Sequence, residues 1–263
     1  MNILDHCTVL ITGASAGLGM EFARQLAPKA ATMVLVARRI ERLEILKHEL
    51  ERPGLEIHCR QCDLSERTEL EELIQWLAGA GLKLNFLINN AGLGDRGRFE
   101  ASEWERVQSM LDVNIAALTR LTHALLPTLK GQAGAAILNV SSVASLFPIP
   151  KLAVYAATKA YVTSFSEAIR AELRGTGVRV TTLCPGPVST EFGQVAERAD
   201  EPDSVKPPDS LRVSAQQVVA EALQAVAKDR ARVIPGWRVA LLAGLVAAVP
   251  IAFLRCGLNR RGR

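Results

Sequence analysis

The chain is poor in the residues that carry metal or nucleophilic chemistry. Its four histidines, His6, His48, His58 and His123, show no pairing that suggests a metal site or a nucleophile's base. Cys59 and Cys62 form a lone Cys-x-x-Cys with no second pair, so a zinc site is not expected. Both fall in an apolar run read as a strand. Three strand steps span roughly 10 Å and turn the side chains to opposite faces, which argues against a disulfide. Reduced thiols in a cytosolic protein are therefore expected. Residues Met1–His6 lack the charged start and cleavage site of a signal peptide. No repeat or low-complexity stretch occurs.

Acid is scarce at one end only. Residues 228–263 hold eight Lys or Arg against Asp229 alone, a net +7, while the remainder is −3. The overall +4 therefore belongs to the tail, and nothing suggests a nucleic-acid groove.

What is present is a regular alternation. Apolar runs at Thr8–Ile11, Met33–Ala37, Leu55–Cys62, Leu84–Ile88, Ala136–Val140, Val178–Leu183 and Arg232–Ile234 read as seven strands. Between them lie helical patterns at Gly17–Leu26, Ile40–Glu51, Glu66–Ala78, Glu103–Leu126, Val154–Arg174 and Ala215–Ala227. Nearly continuous apolar strands separated by helices imply a mostly parallel sheet covered on both faces. Right-handed crossovers then give a doubly wound α/β (Rossmann) domain. We expect it over 1–236, with a charged, proline-bearing lid near 191–213 and a separate tail over 237–263.

The first strand runs into Thr12-Gly13-Ala14-Ser15-Ala16-Gly17-Leu18-Gly19. Gly13, Gly17 and Gly19 permit a tight turn, and the next helix offers free N–H groups to a phosphate. In this strand-to-helix context Gly13–Gly19 reads as a dinucleotide-binding turn. The second strand ends in Arg38-Arg39, where an acidic residue would favour NAD. Two guanidiniums suit a 2′-phosphate, which favours NADP(H). The alternative is that they begin a solvated helix with Glu41 and Arg42. Asp63, before Leu64, suits either an adenine amino group or the cap of the helix near Glu66.

Tyr155 and Lys159 are one turn apart on a helix face. An ammonium near a phenol favours the phenolate, so a lowered Tyr155 pKa is expected. Ser142 follows the fifth strand, at the sheet edge where doubly wound folds place ligands. Asn114 falls inside a long helical pattern, where asparagine is a poor helix former. Ser141 and Asn89 read as structural.

With Asn89-Asn90-Ala91-Gly92 and Pro185-Gly186-Pro187-Val188-Ser189-Thr190, these motifs follow one order over residues 8–190. The chain resembles the short-chain dehydrogenase/reductase superfamily. The resemblance implies that Tyr155 is the general acid in carbonyl reduction and that Ser142 steadies the substrate oxygen. It implies that Lys159 binds the nicotinamide ribose and depresses the Tyr155 pKa. Asn114 would hold a water linking Lys159 to solvent. Asn90, Ala91, Gly92, Pro185, Gly186, Val188 and Thr190 would line the cofactor, together with Gly13, Ser15, Gly17, Leu18, Gly19, Asp63 and Leu64.

The leading reading is an NADP(H)-dependent carbonyl reductase or alcohol dehydrogenase for a lipophilic substrate such as a 3-oxoacyl thioester, a long-chain ketone or a steroid-like alcohol. The alternative is a non-catalytic NADP(H)-binding regulatory or scaffold protein. A homodimer or homotetramer is expected from the resemblance. The stretch Val239–Leu254 is uncharged and flanked by arginines. It is short of the ~20 residues needed to span a bilayer. It reads as a helix buried on the body or a partner subunit, with an anchor on the inner face of a membrane as the alternative.

Overall fold

The computed structural model describes residues 3–197 and 208–249. The centre of the expected lid, 198–207, and the tail end, 250–263, lie outside the described residues. The seven strands are β1 (Thr8–Thr12), β2 (Thr32–Ala37), β3 (Glu56–Gln61), β4 (Phe86–Asn89), β5 (Ala136–Val140), β6 (Arg179–Leu183) and β7 (Arg232–Val233). They form one sheet in the order β3-β2-β1-β4-β5-β6-β7. Every pairing is parallel, from Thr8 opposite Thr32 to Leu183 opposite Val233. Chain order reverses between β1 and β4, the point at which doubly wound sheets form a ligand crevice beyond the strand ends.

The helices are α1 (Gly17–Leu26), α2 (Ile40–Leu50), α3 (Arg67–Gly79), α4 (Trp104–Leu111), α5 (Leu118–Lys130), α6 (Ala153–Glu172), α7 (Glu191–Ala196), α8 (Ala215–Ala227) and α9 (Trp237–Ala248). They make two cores, one on each sheet face. Val9 and Ile11 of β1 pack with Phe22, Leu26 and Val218. Leu10 between them points the other way, to Leu73, Leu121 and Val180. This period-2 division explains why central strands such as β1 and β2 read as nearly unbroken apolar runs.

Two elements differ from the sequence expectation. The helix expected over 103–126 is two helices joined by a π-helical turn at Asp112–Ala117. Asn114 lies in that wide turn, where its amide reaches the backbone of Leu93. Insertions of this kind collect at functional sites. The expected tail begins as α9, which packs on the body along one side only. Val239 and Ala243 are buried. A Cβ on Gly186 would come within 2.7 Å of the Val239 side chain, so β6's continuation and α9 are in close contact. Trp237, Leu241, Leu242, Leu245 and Val249 face outward. Among the described residues no helix is long and apolar enough to cross a membrane.

Candidate active site

The glycine turn is bound tightly to the β4 end. Thr12 Oγ1 accepts from the backbone N–H groups of Asn90 and Ala91, both at 3.0 Å. The Asn90 amide donates back to the Thr12 carbonyl at 2.9 Å. Gly13 sits at φ +67°, and a Cβ there would lie 2.9 Å from Ala91 Cα. A Cβ on Gly19 would lie 2.2 Å from the Gly13 carbonyl. Only glycine satisfies either position. Ala16, which caps α1, contributes no side-chain bond, so the first-turn N–H groups face the crevice without a side-chain acceptor. Leu18 packs on the core behind them.

Arg38 pairs with Asp63 at 3.7 Å. Arg39 reaches both Ser15 Oγ, at 3.4 Å, and Glu191. Arg42, one helical turn on, pairs with Glu191 at 2.9 Å. Asp63 does not cap α3, whose N-terminal flank is Glu66. Its carboxylate instead accepts from the Ser65 N–H and hydroxyl, closing a local turn. The Leu64 side chain is buried in the core, leaving only its backbone to meet a ligand.

At the β5 end, Asn114, Ser142, Tyr155 and Lys159 converge. Ser142 is extended and its Oγ accepts from the Ala144 N–H at 3.1 Å; it also lies close enough to the Tyr155 phenol to lower its pKa. Lys159 is buried and its Nζ donates to the Val140 carbonyl at 2.9 Å. Asn114 accepts from the Leu93 N–H at 2.8 Å and donates to the Leu93 carbonyl and the Thr158 hydroxyl. A Cβ on Gly92 would crowd Lys159 Nζ at 3.2 Å and Asn114 Oδ1 at 3.3 Å. Ser141 Oγ bonds the Lys159 carbonyl and Thr163, and Asn89 bonds Thr122 and Asn139, as expected of structural residues.

The electrostatic expectation for Tyr155 is overturned. Its pKa is not lowered; burial pushes the phenol up to about 12, against the opposing pull of the nearby Ser142. The Lys159 ammonium lies 5.8 Å from the tyrosine ring centre and is turned toward Val140. Burial also draws Lys159 itself down, from 10.5 to about 8. Desolvation of both groups outweighs their mutual effect.

Thr190 and Phe192 lie along this rim. The Thr190 side chain lies over Gly17, within 3.4 Å of where its Cβ would be. The Phe192 ring sits 5.6 Å from that of Tyr155. Behind it, Arg96 donates to the Ala196 carbonyl. Val188 bridges Val213, and Val143 donates to the Pro185 carbonyl, fixing the Pro185–Thr190 segment against the β5 end. A groove of about 480 Å³ lined by Cys59, Arg60 and Glu72 opens on edge strand β3, away from these groups. Arg42, Glu191 and Phe192 were missed from sequence. Only Arg42 carried a signal, its three-residue spacing from Arg39.

Residues 7–201 match the family model of short chain dehydrogenases. The chain belongs to that family. It is 40% identical to sulfoacetaldehyde reductase of Chromohalobacter salexigens, over 73% of this chain and 77% of that one. It is 36% identical to an NADP-dependent 3-hydroxy acid dehydrogenase of Escherichia coli, over 82% and 86%. Among solved structures it resembles a short-chain dehydrogenase from Sphingobium yanoikuyae in complex with NADPH. That match has a TM-score of 0.79 and 29% identity, and covers 97% of this chain and 95% of the other. The chain is accordingly an oxidoreductase of the short-chain type.

Proposed function

We propose that the protein interconverts a carbonyl and a secondary alcohol with NADP(H), using Tyr155 as the proton donor in reduction. The observation that carries this reading is the placing of Tyr155 beside Ser142 and a buried Lys159 at the sheet's ligand edge. The crevice suits a dinucleotide: Gly13 and Gly19 leave room that a Cβ would fill, and the α1 N-terminus offers free donors. Arg38, Arg39 and Ser15 would hold the 2′-phosphate end; Asn90, Ala91, Gly92, Gly186, Val188 and Thr190 would flank the nicotinamide end. Bound NADPH supplies the hydride. Ser142 Oγ orients the substrate oxygen and stabilises its developing charge. Tyr155, neutral across the physiological range, gives that oxygen its proton. Lys159 would hold the nicotinamide ribose, and Asn114 fixes the Leu93 backbone beside it and holds a water on the route to solvent.

The finer proposal is a lipophilic substrate. Phe192 over Tyr155 and Val239 against Gly186 supply an apolar wall. In a broad carbonyl panel, kcat/KM should rise along a homologous 3-oxo ester series by up to about fourfold per buried methylene. A preference for sulfoacetaldehyde and other short polar aldehydes would remove the lipophilic reading. In the same assay Tyr155→Phe should lower turnover by about 10²–10⁴-fold while NADPH binding persists. Substantial residual turnover would show that another group donates the proton.

We infer also that the outer face of α9 rests on an anionic lipid surface. Trp237, Leu241 and Leu245 project outward, Arg238 stacks on Trp237, and residues 230–263 carry seven arginines and no acid. The intact chain should float with anionic vesicles and not with neutral ones. Leu241→Ser with Leu245→Ser should sink. Equal flotation of both forms rejects this site, and a dimer lost in the double variant would assign the face to a second copy.

A further inference from the structure

Glu191 is the first residue of α7 and one residue from the Phe192 ring that covers Tyr155. Its carboxylate spans the two arginines of the adenosine end, Arg39 at 3.4 Å and Arg42 at 2.9 Å. The strap therefore fastens at both ends of the crevice: an anion on the arginines and an aromatic ring on the tyrosine. A carboxylate and a phosphate compete for the same guanidinium donors, because each can offer a pair of anionic oxygens to the two-pronged fork. A phosphate carries more charge and offers three acceptor oxygens.

We propose that Glu191 is a latch that occupies the 2′-phosphate cations and is exchanged for that phosphate, so that NADP(H), unlike NAD(H), releases α7 from the rim. This rests on the reading of Arg39 as a 2′-phosphate ligand and adds Arg42 to it. A 2′-hydroxyl cannot displace the carboxylate, so NAD(H) leaves the latch shut. The 2′-phosphate takes Arg39 and Arg42, the freed carboxylate turns to solvent, and Phe192 loses the tether beside it. Cofactor choice and substrate access to Tyr155 thus share one switch. Among the described residues, Arg39 and Arg42 are the cations paired with Glu191, and both hold its carboxyl below the usual range.

The test measures equilibrium binding of adenosine 2′-monophosphate, adenosine 5′-monophosphate, NADPH and NADH to wild type and Glu191→Gln. Loss of one exposed competitor should tighten the 2′-phosphate ligands by about threefold at low salt, and leave the other two within about twofold. Hydrogen exchange supplies the second readout. In wild type, adenosine 2′-monophosphate should speed exchange in α7, and adenosine 5′-monophosphate should not. An unchanged NADPH-to-NADH ratio in Glu191→Gln, or weaker NADPH binding, overturns the latch. Unchanged exchange overturns its link to the lid. Arg39→Ala with Arg42→Ala separates the two readings. If that pair leaves the ratio unchanged, the 2′-phosphate assignment itself fails. If the pair collapses the ratio while Glu191→Gln leaves it alone, only the latch fails.

Discussion

The rim at the β5 end and the strap over it are built by opposite means. At the rim, Asn114, Ser141, Thr158 and Lys159 are buried, and their polar atoms are bonded largely to backbone. In the strap, Glu191 meets its arginines in solvent, and Phe192 is 40% exposed. Buried bonds in a low-dielectric setting cost much to break, whereas exposed ion pairs cost little. The chemistry is thus held rigid while its cover can be exchanged. A displaceable cover requires this contrast, since a strap as firmly bonded as the rim would exclude both cofactor and substrate.

The contrast breaks if a rim residue proves as dispensable as an exposed ion pair. Asn114→Ala would strand the Leu93 N–H and carbonyl, both bonded to that amide. These groups are partly buried, so we expect a loss of about 1–3 kcal/mol in chemical denaturation. Opening the exposed Arg24–Glu49 pair by Glu49→Gln should cost less than about 1 kcal/mol, although it too is bidentate. Equal losses in the two variants would dissolve the distinction between rim and surface.

The rim was largely legible in the sequence and the strap was not. Strands such as Thr8–Thr12 and Ala136–Val140 showed as apolar runs because both sheet faces are covered. Gly13, Ser142, Tyr155 and Lys159 lie within or beside those elements, so local order placed them. The Arg42–Glu191 pair joins residues 149 apart, and no periodicity reports a contact of that range. The π turn at Asp112–Ala117 depends on the Asn114 amide finding Leu93 across a loop, again a tertiary event. The direction of the Tyr155 shift was misread for a related reason. Spacing on a helix gives proximity to Lys159, but burial, which decides the sign here, is a property of the assembled rim.

That burial gives the smaller test. Lys159 falls from 10.5 to about 8 on folding, so the unfolded chain holds more protons between those values. Stability contributed by this group therefore rises with pH across that window, by at most about 1.4 kcal/mol per pH unit. Tyr155 rises from 10.0 to about 12, so the folded chain holds the extra proton there, and its contribution falls above pH 10. The pair together favours the fold most near pH 10, where the lysine has mostly lost its charge and the phenol keeps its proton. Lys159→Met removes the lysine from this balance. The stability difference, wild type minus Lys159→Met, should climb from pH 8 to 10 and level off beyond. A flat difference would mean that water reaches the Lys159 ammonium in the folded chain. The rim would then share the solvent exposure of the strap that covers it.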